Sequence, residues 1–424
     1  MTRATRRVAL RRGGAGAVLV LAALAGCADT GDDGAPVDPT PVVVGETAPT
    51  APTGASLPLP LAPFRMVEPG WDQVPEELDG IFLGLAEPTA DGDTSDGDMS
   101  DGDMSDGDGA DGDTVDGAAL RFVAADEQGT VLWEAARPPS CTGFALTRAG
   151  DRALAVLTDL APTDDAVAGT TATAYDLTTG ERVWGPVEVP GPHHGPGLVF
   201  SAAAPRATVG ETGSRVVLDP ATGEVLADES DGSDTAVVGE YDGTVLTAVD
   251  GELVATDAAG GTTAWRVSLA SLGLDGTPTA VAGARPPHGT ALLGEPGDAT
   301  GALVDLADGA VLATDVADAR RDPSSGTVVA LGEEGVTGLP ATGEPWEVPV
   351  ADTRLAAAGG ALVYMRVGDA LQVLNATGAE AQAYGEAGSA GLAVPVLFSA
   401  GGAAVVTTET GYGLVTTAPS EAED

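Results

Sequence analysis

From about residue 66 onward, apolar positions alternate with small or polar ones in short runs broken by Asp, Asn and Gly. Ala153-Leu154-Ala155-Val156-Leu157 and Gly243-Thr244-Val245-Leu246-Thr247-Ala248-Val249 are examples. A period of two over such lengths predicts strands rather than helices. The runs share a turn signature, clearest in Ala174-Tyr175-Asp176-Leu177-Thr178-Thr179-Gly180-Glu181-Arg182-Val183-Trp184. It recurs at Asp126–Gly129 before Trp133, Asp219–Gly223, Asp257–Gly260 before Trp265, Asp305–Gly309, Leu339–Gly343 before Trp346, and Asn375–Gly378. Six steps carry Gly129 to Gly378, about 41.5 residues each, which is the spacing of a four-stranded propeller blade. At each turn the Asp or Asn side chain can cap the backbone, and Gly supplies the positive φ of a hairpin. The following strand brings Val, Leu or Trp to fill the gap between neighbouring sheets. Leu339 stands where Asp is usual, so that copy is degenerate.

This strand–Asp–turn–Thr–Gly–strand–Trp pattern resembles the quinoprotein-like (PQQ-like, WD40-like) repeat over about residues 66–418. The resemblance implies an all-β propeller. The last unit, Ala404–Thr408 and Gly413–Thr417, lacks its turn and final strand. A segment near Leu57–Val67 is expected to complete it, closing the ring and hiding its edges. Eight blades follow, with seven as the alternative.

Composition agrees with strands and turns. Gly numbers 60 and Pro 30, while aromatics are 4% and apolar residues 43%. Such a chain is too apolar for wholesale disorder and too rich in Gly and Pro for a helical body. The net charge is −45, and all 19 basic residues are Arg. That field repels phosphate backbones and anionic headgroups, so nucleic acid is excluded as a partner.

The N-terminus changes the picture. Arg3, Arg6, Arg7, Arg11 and Arg12 precede an uncharged, mostly apolar run over residues 13–26. A basic segment followed by a short apolar one predicts a secretion signal, too short to span a bilayer comfortably. Leu24-Ala25-Gly26-Cys27 resembles the bacterial lipobox, which implies cleavage before Cys27 and its diacylglyceryl modification. Thr5–Leu10 also resembles a twin-arginine signal, leaving the export route open. The expected organisation is a signal peptide over 1–26, lipidated Cys27 with a Pro-rich disordered tether to residue 65, the propeller over 66–418, and an acidic tail over 419–424. Cys141 is expected to be a small buried residue, and no intramolecular disulfide is available once Cys27 is acylated.

Residues 91–117 carry eleven Asp in a near-pentad repeat between two predicted strands. They predict a solvated, self-repelling loop within the first blade. Asp91, Asp93, Asp96 and Asp98 are candidates for weak calcium binding, but the EF-hand register fails at Ser95 and Asp96. His193, His194 and His288 lie in Pro/Gly-rich loops without metal-ligand spacing and are expected to face solvent. No nucleophile elbow occurs, and without Lys there is no P-loop. Vicinal cysteines, which the quinoprotein resemblance would require beside a quinone, are missing; no quinone or other cofactor is expected. The expected function is a monomeric, non-catalytic binding or scaffold module of the cell envelope, lipid-anchored outside the cytoplasm. Its partner would be an envelope protein or a small ligand. The alternative is a channel-sited sensor or enzyme, with Arg182, Arg266, Arg320, Arg321 or Arg354 at the channel mouth and no basis for choosing among them.

Overall fold

The computed structural model describes residues 40–51, 56–86, 119–137, 143–161, 169–202, 213–389, 391–409 and 411–419. All of them lie in one compact unit, Val37–Asp424. Cys27, Cys141 and the acidic insert, with Asp91, Asp93, Asp96 and Asp98, lie outside the described residues.

The described chain is all-β and antiparallel. It opens with β1 (Val42–Thr47), β2 (Phe64–Trp71), β3 (Glu76–Leu78), β4 (Ile81–Ala86), β5 (Leu120–Asp126) and β6 (Thr130–Arg137). A four-stranded sheet follows: β7 (Phe144–Ala149), β8 (Arg152–Ala161), β9 (Gly169–Asp176) and β10 (Arg182–Val189). The next has three described strands, β11 (Val199–Ser201), β12 (Arg215–Leu218) and β13 (Val225–Asp228). Then come β14 (Ala236–Tyr241), β15 (Thr244–Val249), β16 (Glu252–Asp257) and β17 (Thr262–Ser268).

A seven-stranded sheet contains β18 (Thr279–Ala280), β19 (Thr290–Gly294), β20 (Gly301–Asp305), β21 (Val311–Arg321), β22 (Val328–Gly332), β23 (Gly335–Leu339) and β24 (Trp346–Val348). Its long β21 serves two four-strand sets, pairing β20 through its first half (Leu303↔Ala313) and β22 through its second (Ala319↔Ala330). β25 (Thr353–Gly359), β26 (Leu362–Val367), β27 (Ala370–Asn375) and β28 (Glu380–Tyr384) form another sheet. Last come β29 (Pro395–Phe398), β30 (Ala404–Thr407) and β31 (Tyr412–Pro419). β31 pairs β2 at Met66↔Val415 and Val67↔Leu414, so the two ends of the described chain share one sheet. Among the described residues no helix is long and apolar enough to cross a membrane.

Apolar clusters lie between successive sheets. Phe122 and Trp133 meet Leu157 and Leu177; Leu154 and Trp184 meet Phe200 and Leu218; Val199 and Val217 meet Val237 and Val245. Leu246 and Leu253 meet Leu293 and Val304, and Leu303 meets Val328 across β21. Val329 and Val336 meet Leu355 and Val363; Tyr364 and Leu371 meet Phe398 and Val406. Finally Val405 and Leu414 meet Phe82 and Val123, joining last to first. Each fully buried Leu, Val or Phe in these seams contributes about 1.5–3 kcal/mol.

The repeated turn acts as a latch between sheets. Trp133 donates its indole N–H to Leu177 O at 2.8 Å, Trp184 to Pro220 O at 2.7 Å, Trp265 to Leu306 O at 2.7 Å and Trp346 to Ala376 O at 2.6 Å. Every acceptor follows the Asp or Asn at the end of a strand in the next sheet or set. The turn Gly is required twice over. Gly223 and Gly309 have φ of 75° and 77°, and a Cβ on either would lie 2.7 Å from the ring of Trp184 or Trp265.

Three expectations need correction. The left-handed residue of the copy before Trp265 is Gly261 (φ 60°), not Gly260, because the turn bond runs from Gly261 N–H to Asp257 O. Val225, Leu226 and Val311, at the positions expected to fill inter-sheet gaps, are 55%, 38% and 38% exposed; they are too short to reach the next turn as Trp does. The Pro-rich segment is also not all tether. β1 pairs β6, Ala48, Ala51 and Leu61 are buried, and Ala51 N–H bonds Met66 O. Strand edges at β6 and β2 accept this stretch because its prolines sit between the donors used.

Candidate functional site

The hairpins that begin the sheets carry the ionisable groups. The β3–β4 turn places Asp79 (φ 55°) and Gly80 (φ 78°) in left-handed conformations, and the β14–β15 turn does the same with Asp242 (φ 50°) and Gly243 (φ 85°). Such two-residue turns suit strand twist, and Asp-Gly fits both positions. They present Glu76, Glu77 and Asp79 from β3 and its turn, Thr147 and Arg148 from β7, and Glu240 and Asp242 from β14 and its turn. The loop before β19 adds Arg285 and His288.

These groups bind one another across long stretches of chain. Arg148 forks onto Asp79 with two bonds of 2.5 Å. His288 Nδ1 lies 3.0 and 3.1 Å from the carboxylate oxygens of Asp242. Its Nε2 lies 2.8 Å from the carbonyl oxygen of Glu77, 211 residues away in sequence. Both ring nitrogens thus face acceptors, which only the imidazolium satisfies. Burial opposes that charge, but the bond and charge of Asp242, then Glu77, push the His288 pKa up to about 9. His288, then Arg148 and the Gly289 N–H, in turn hold Asp242 below the usual carboxylate range despite its desolvation.

Glu240 is fully buried. Its Oε1 accepts the Thr147 hydroxyl at 2.7 Å and Gly243 N–H at 2.6 Å; its Oε2 accepts Leu198 N–H at 3.1 Å. Desolvation nevertheless pushes its pKa up to about 7. The Thr147–Glu240 bond ties β7 directly to β14 beside the sheet with only three described strands.

Beside that short sheet lies a cavity of about 960 Å³. Its wall draws Glu76 and Leu146 from the first hairpins, the loop His194–Gly197, Arg215 of β12, Glu240–Asp242, and much of Thr277–Leu292. Arg215 is held by Glu229, 2.8 Å from Nη2. Glu76 is exposed at its outer edge; desolvation by the cavity wall raises its pKa, with Leu146 N–H, Arg285 and His288 acting against it. His194 is exposed; partial desolvation, then the charge of Arg215, lowers its pKa. His193, by contrast, is half-buried: Nε2 sits 2.5 Å from Gly197 O and its ring stands edge-on to Phe200. The expectation of solvent-facing histidines therefore fails for His193, because its bond to Gly197 folds the Pro/Gly loop back over it.

The sequence-nominated turn residues lie elsewhere. Asp126, Asp176, Asp219, Asp257 and Asp305 each accept a backbone N–H two residues on, at 2.7–3.1 Å. Gly129, Gly180 and Gly378 have φ of 82°, 70° and 83°, and Gly343 has φ of 117°. Asn375 N–H bonds Ala379 O, closing its turn through the backbone. Of the five arginines expected at a channel mouth, Arg182 and Arg354 are exposed and Arg266 pairs with Glu252. Only Arg320 touches the site's framework, donating to Arg285 O at 3.0 Å. Arg148, Arg285, Glu76, Glu240 and Asp242 were missed. The Asp-Gly hairpins were visible, but nothing local says which hairpins share one end of the molecule.

No family model matches the chain, and no curated protein matches it. Among solved structures, similarity is found to Sqt1 of Saccharomyces cerevisiae, at 12% identity and a TM-score of 0.34, over 71% of this chain and 91% of that one. It is also found to KlHsv2 with loop 6CD replaced by a Gly-Ser linker, at 8% identity and a TM-score of 0.32, over 61% and 88%.

Proposed function

We propose that this chain is a lipid-anchored, extracytoplasmic β-propeller that serves as a non-catalytic binding or scaffold module of the cell envelope. Its ligand, a small molecule or a segment of an envelope protein, enters the cavity beside His288. Eight sets are the reading of the sheets, seven of four strands and one with three described strands, with β21 shared by two sets and β2 as the last strand of the final one. The cyclic succession of apolar clusters, ending with Val405 and Leu414 against Phe82 and Val123, supports closure. The anchor rests on Leu24-Ala25-Gly26-Cys27 and the basic and apolar segments before it; two acyl chains hold a protein stably where one does not.

The observation that carries the binding reading is the convergence of Glu76, Arg215, Glu240, Asp242 and His288 on one cavity of about 960 Å³. A concave site of that size, with few polar groups held rigidly, fits ligand recognition. Ala282 lines the cavity and is exposed, so Ala282→Trp fills it without disturbing a core position. Affinity capture from detergent-solubilised envelope should lose its specific ligand or partner in Ala282→Trp; an unchanged profile contradicts the reading. Mass spectrometry of the mature protein should find Cys27 as a diacylated N-terminal residue, and Cys27→Ser should leave the membrane fraction. A free Cys27 thiol rejects the anchor.

A further inference from the structure

We propose that the cavity takes an uncharged, largely apolar ligand bearing a carbonyl or ether oxygen, with Arg215 Nη1 as the donor to that oxygen. The proposal rests on reading the cavity as a ligand site and adds the chemical class.

The charges of the wall are already answered. His288 stands between the Asp242 carboxylate and the Glu77 carbonyl, at 3.0 and 2.8 Å. Glu240 is fully buried and gives both oxygens to Thr147, Gly243 and Leu198. Glu76 reaches solvent at its outer edge, so water answers its charge. Arg215 meets Glu229, whose Oε1 lies 3.0 Å from Nε and 2.8 Å from Nη2. Glu229 Oε2 also accepts the Arg215 backbone N–H at 2.9 Å, which fixes the carboxylate against β12. The pKa of His194, within the field of Arg215, is lowered, so at neutral pH it adds no positive charge. A charged ligand would therefore leave water without gaining a free counter-charge, which is costly.

What the wall offers is carbon and one donor. Leu146, Pro196, Ala284, Pro286 and Pro287 line the cavity and keep part of their surface open. Proline has no N–H, so this stretch of wall supplies few donors to a hydroxyl-rich ligand such as a sugar. An apolar body covers such carbon with a gain that grows with the area removed from water. Arg215 lies in the same wall, spends Nε and Nη2 on Glu229, and has no hydrogen-bond partner for Nη1 among the described residues. Its side chain is 15% exposed, so the guanidinium is largely stripped of water but not sealed off. A guanidinium carries donors only. With its charge matched by Glu229, the partner left for Nη1 is a neutral oxygen acceptor, as in a ketone, ester or ether.

The test is calorimetric titration of three compounds sharing one bicyclic skeleton into the full Cys27→Ser chain, which needs no detergent. Salt is held at about 0.15 M, where surface fields are screened beyond about 8 Å. Camphor is a neutral ketone, camphorsulfonate keeps the ketone and adds an anion, and bornylamine carries an ammonium in its place. One saturable site is expected for camphor, with the sulfonate and the ammonium weaker by about tenfold or more, as desolvation of an unmatched charge implies. Ala282→Trp should abolish the site. Arg215→Lys, which keeps a charge opposite Glu229 and removes Nη1, should weaken camphor severalfold, and Glu224→Gln on an exposed turn should leave it unchanged. Thermal melting shows whether each variant is folded, and the comparison of the three ligands keeps the test alive if Arg215→Lys is not. Absence of a saturable site for camphor, or equal effects of Arg215→Lys and Glu224→Gln, overturns the proposal. Sulfonate or ammonium binding as tight as camphor, abolished by Ala282→Trp, overturns the uncharged class while leaving the ligand site standing. Silence with all three, together with unchanged capture by Ala282→Trp, overturns both.

Discussion

Glu240 shows how one residue reports on the fold. Its carboxyl is fully buried, and desolvation lifts its pKa from 4.5 to about 7. Between those values the unfolded chain has released a proton that the folded chain retains, so stability falls as pH rises through this window. The loss from this group is about 3 kcal/mol and is complete above its folded pKa. Urea midpoints of the wild type should therefore decline from pH 5 to pH 8, and Glu240→Gln should shrink that decline; an equal slope in both contradicts the assignment. His288 behaves in the same direction over a higher window. Its folded pKa of about 9 means that its contribution is intact below the ordinary imidazole value and is lost as pH rises through 9. Its side chain is 54% exposed, so solvent screening keeps that contribution small. An NMR titration should place the His288 midpoint near 9, and Asp242→Asn should bring it down toward the ordinary range. Neither group could be singled out from sequence, since Val-Val-Gly-Glu-Tyr-Asp-Gly and Arg-Pro-Pro-His-Gly give no sign that their side chains are buried or paired.

The element that repeats is the turn, and here sequence and structure meet closely. An Asp capping its own turn, and a Gly where φ is positive, are local needs satisfied by local chemistry. They can be read from one copy and confirmed by the next. What could not be read was the partner of each Trp, which lies in the following set and latches its turn through a buried N–H bond. Trp184→Phe should cost about 1–3 kcal/mol, since it leaves Pro220 O unpaired in a buried seam. Val225→Thr, at an exposed position of β13, should stay within about 0.5 kcal/mol. Gly223→Ala faces both the left-handed φ and the Trp184 ring and should exceed the roughly 1 kcal/mol of a simple turn glycine. Denaturant melts of the three variants rank them, and an equal cost for Trp184→Phe and Val225→Thr would refute the latch. The Gly260 and Gly261 pair shows the limit of legibility, because two adjacent glycines both satisfy the pattern and only the backbone bond to Asp257 O selects one.

For the whole molecule, the pairing of β2 with β31 matters most, since it joins residues some 350 apart, as the Thr416 hydroxyl to Arg65 O bond illustrates. Val67 sits fully buried in that seam. Val67→Asp places an unpaired charge there, and limited proteolysis should then cut near β2 before the rest of the chain; resistance equal to wild type would show that the seam contributes little. The short sheet of β11–β13 has an equally global consequence, because the cavity lies beside it and β7 bonds β14 directly. By itself the sequence determined the strand period, the turn chemistry, the all-β class and the need for a terminal strand to complete the last unit, because each depends on neighbours within a few residues or on a repeat count. Only the tertiary structure decided which hairpins meet, which carboxylates are stripped of water, and where a cavity opens. Those properties depend on desolvation and on distances between residues far apart in the chain, and neither is encoded in local spacing.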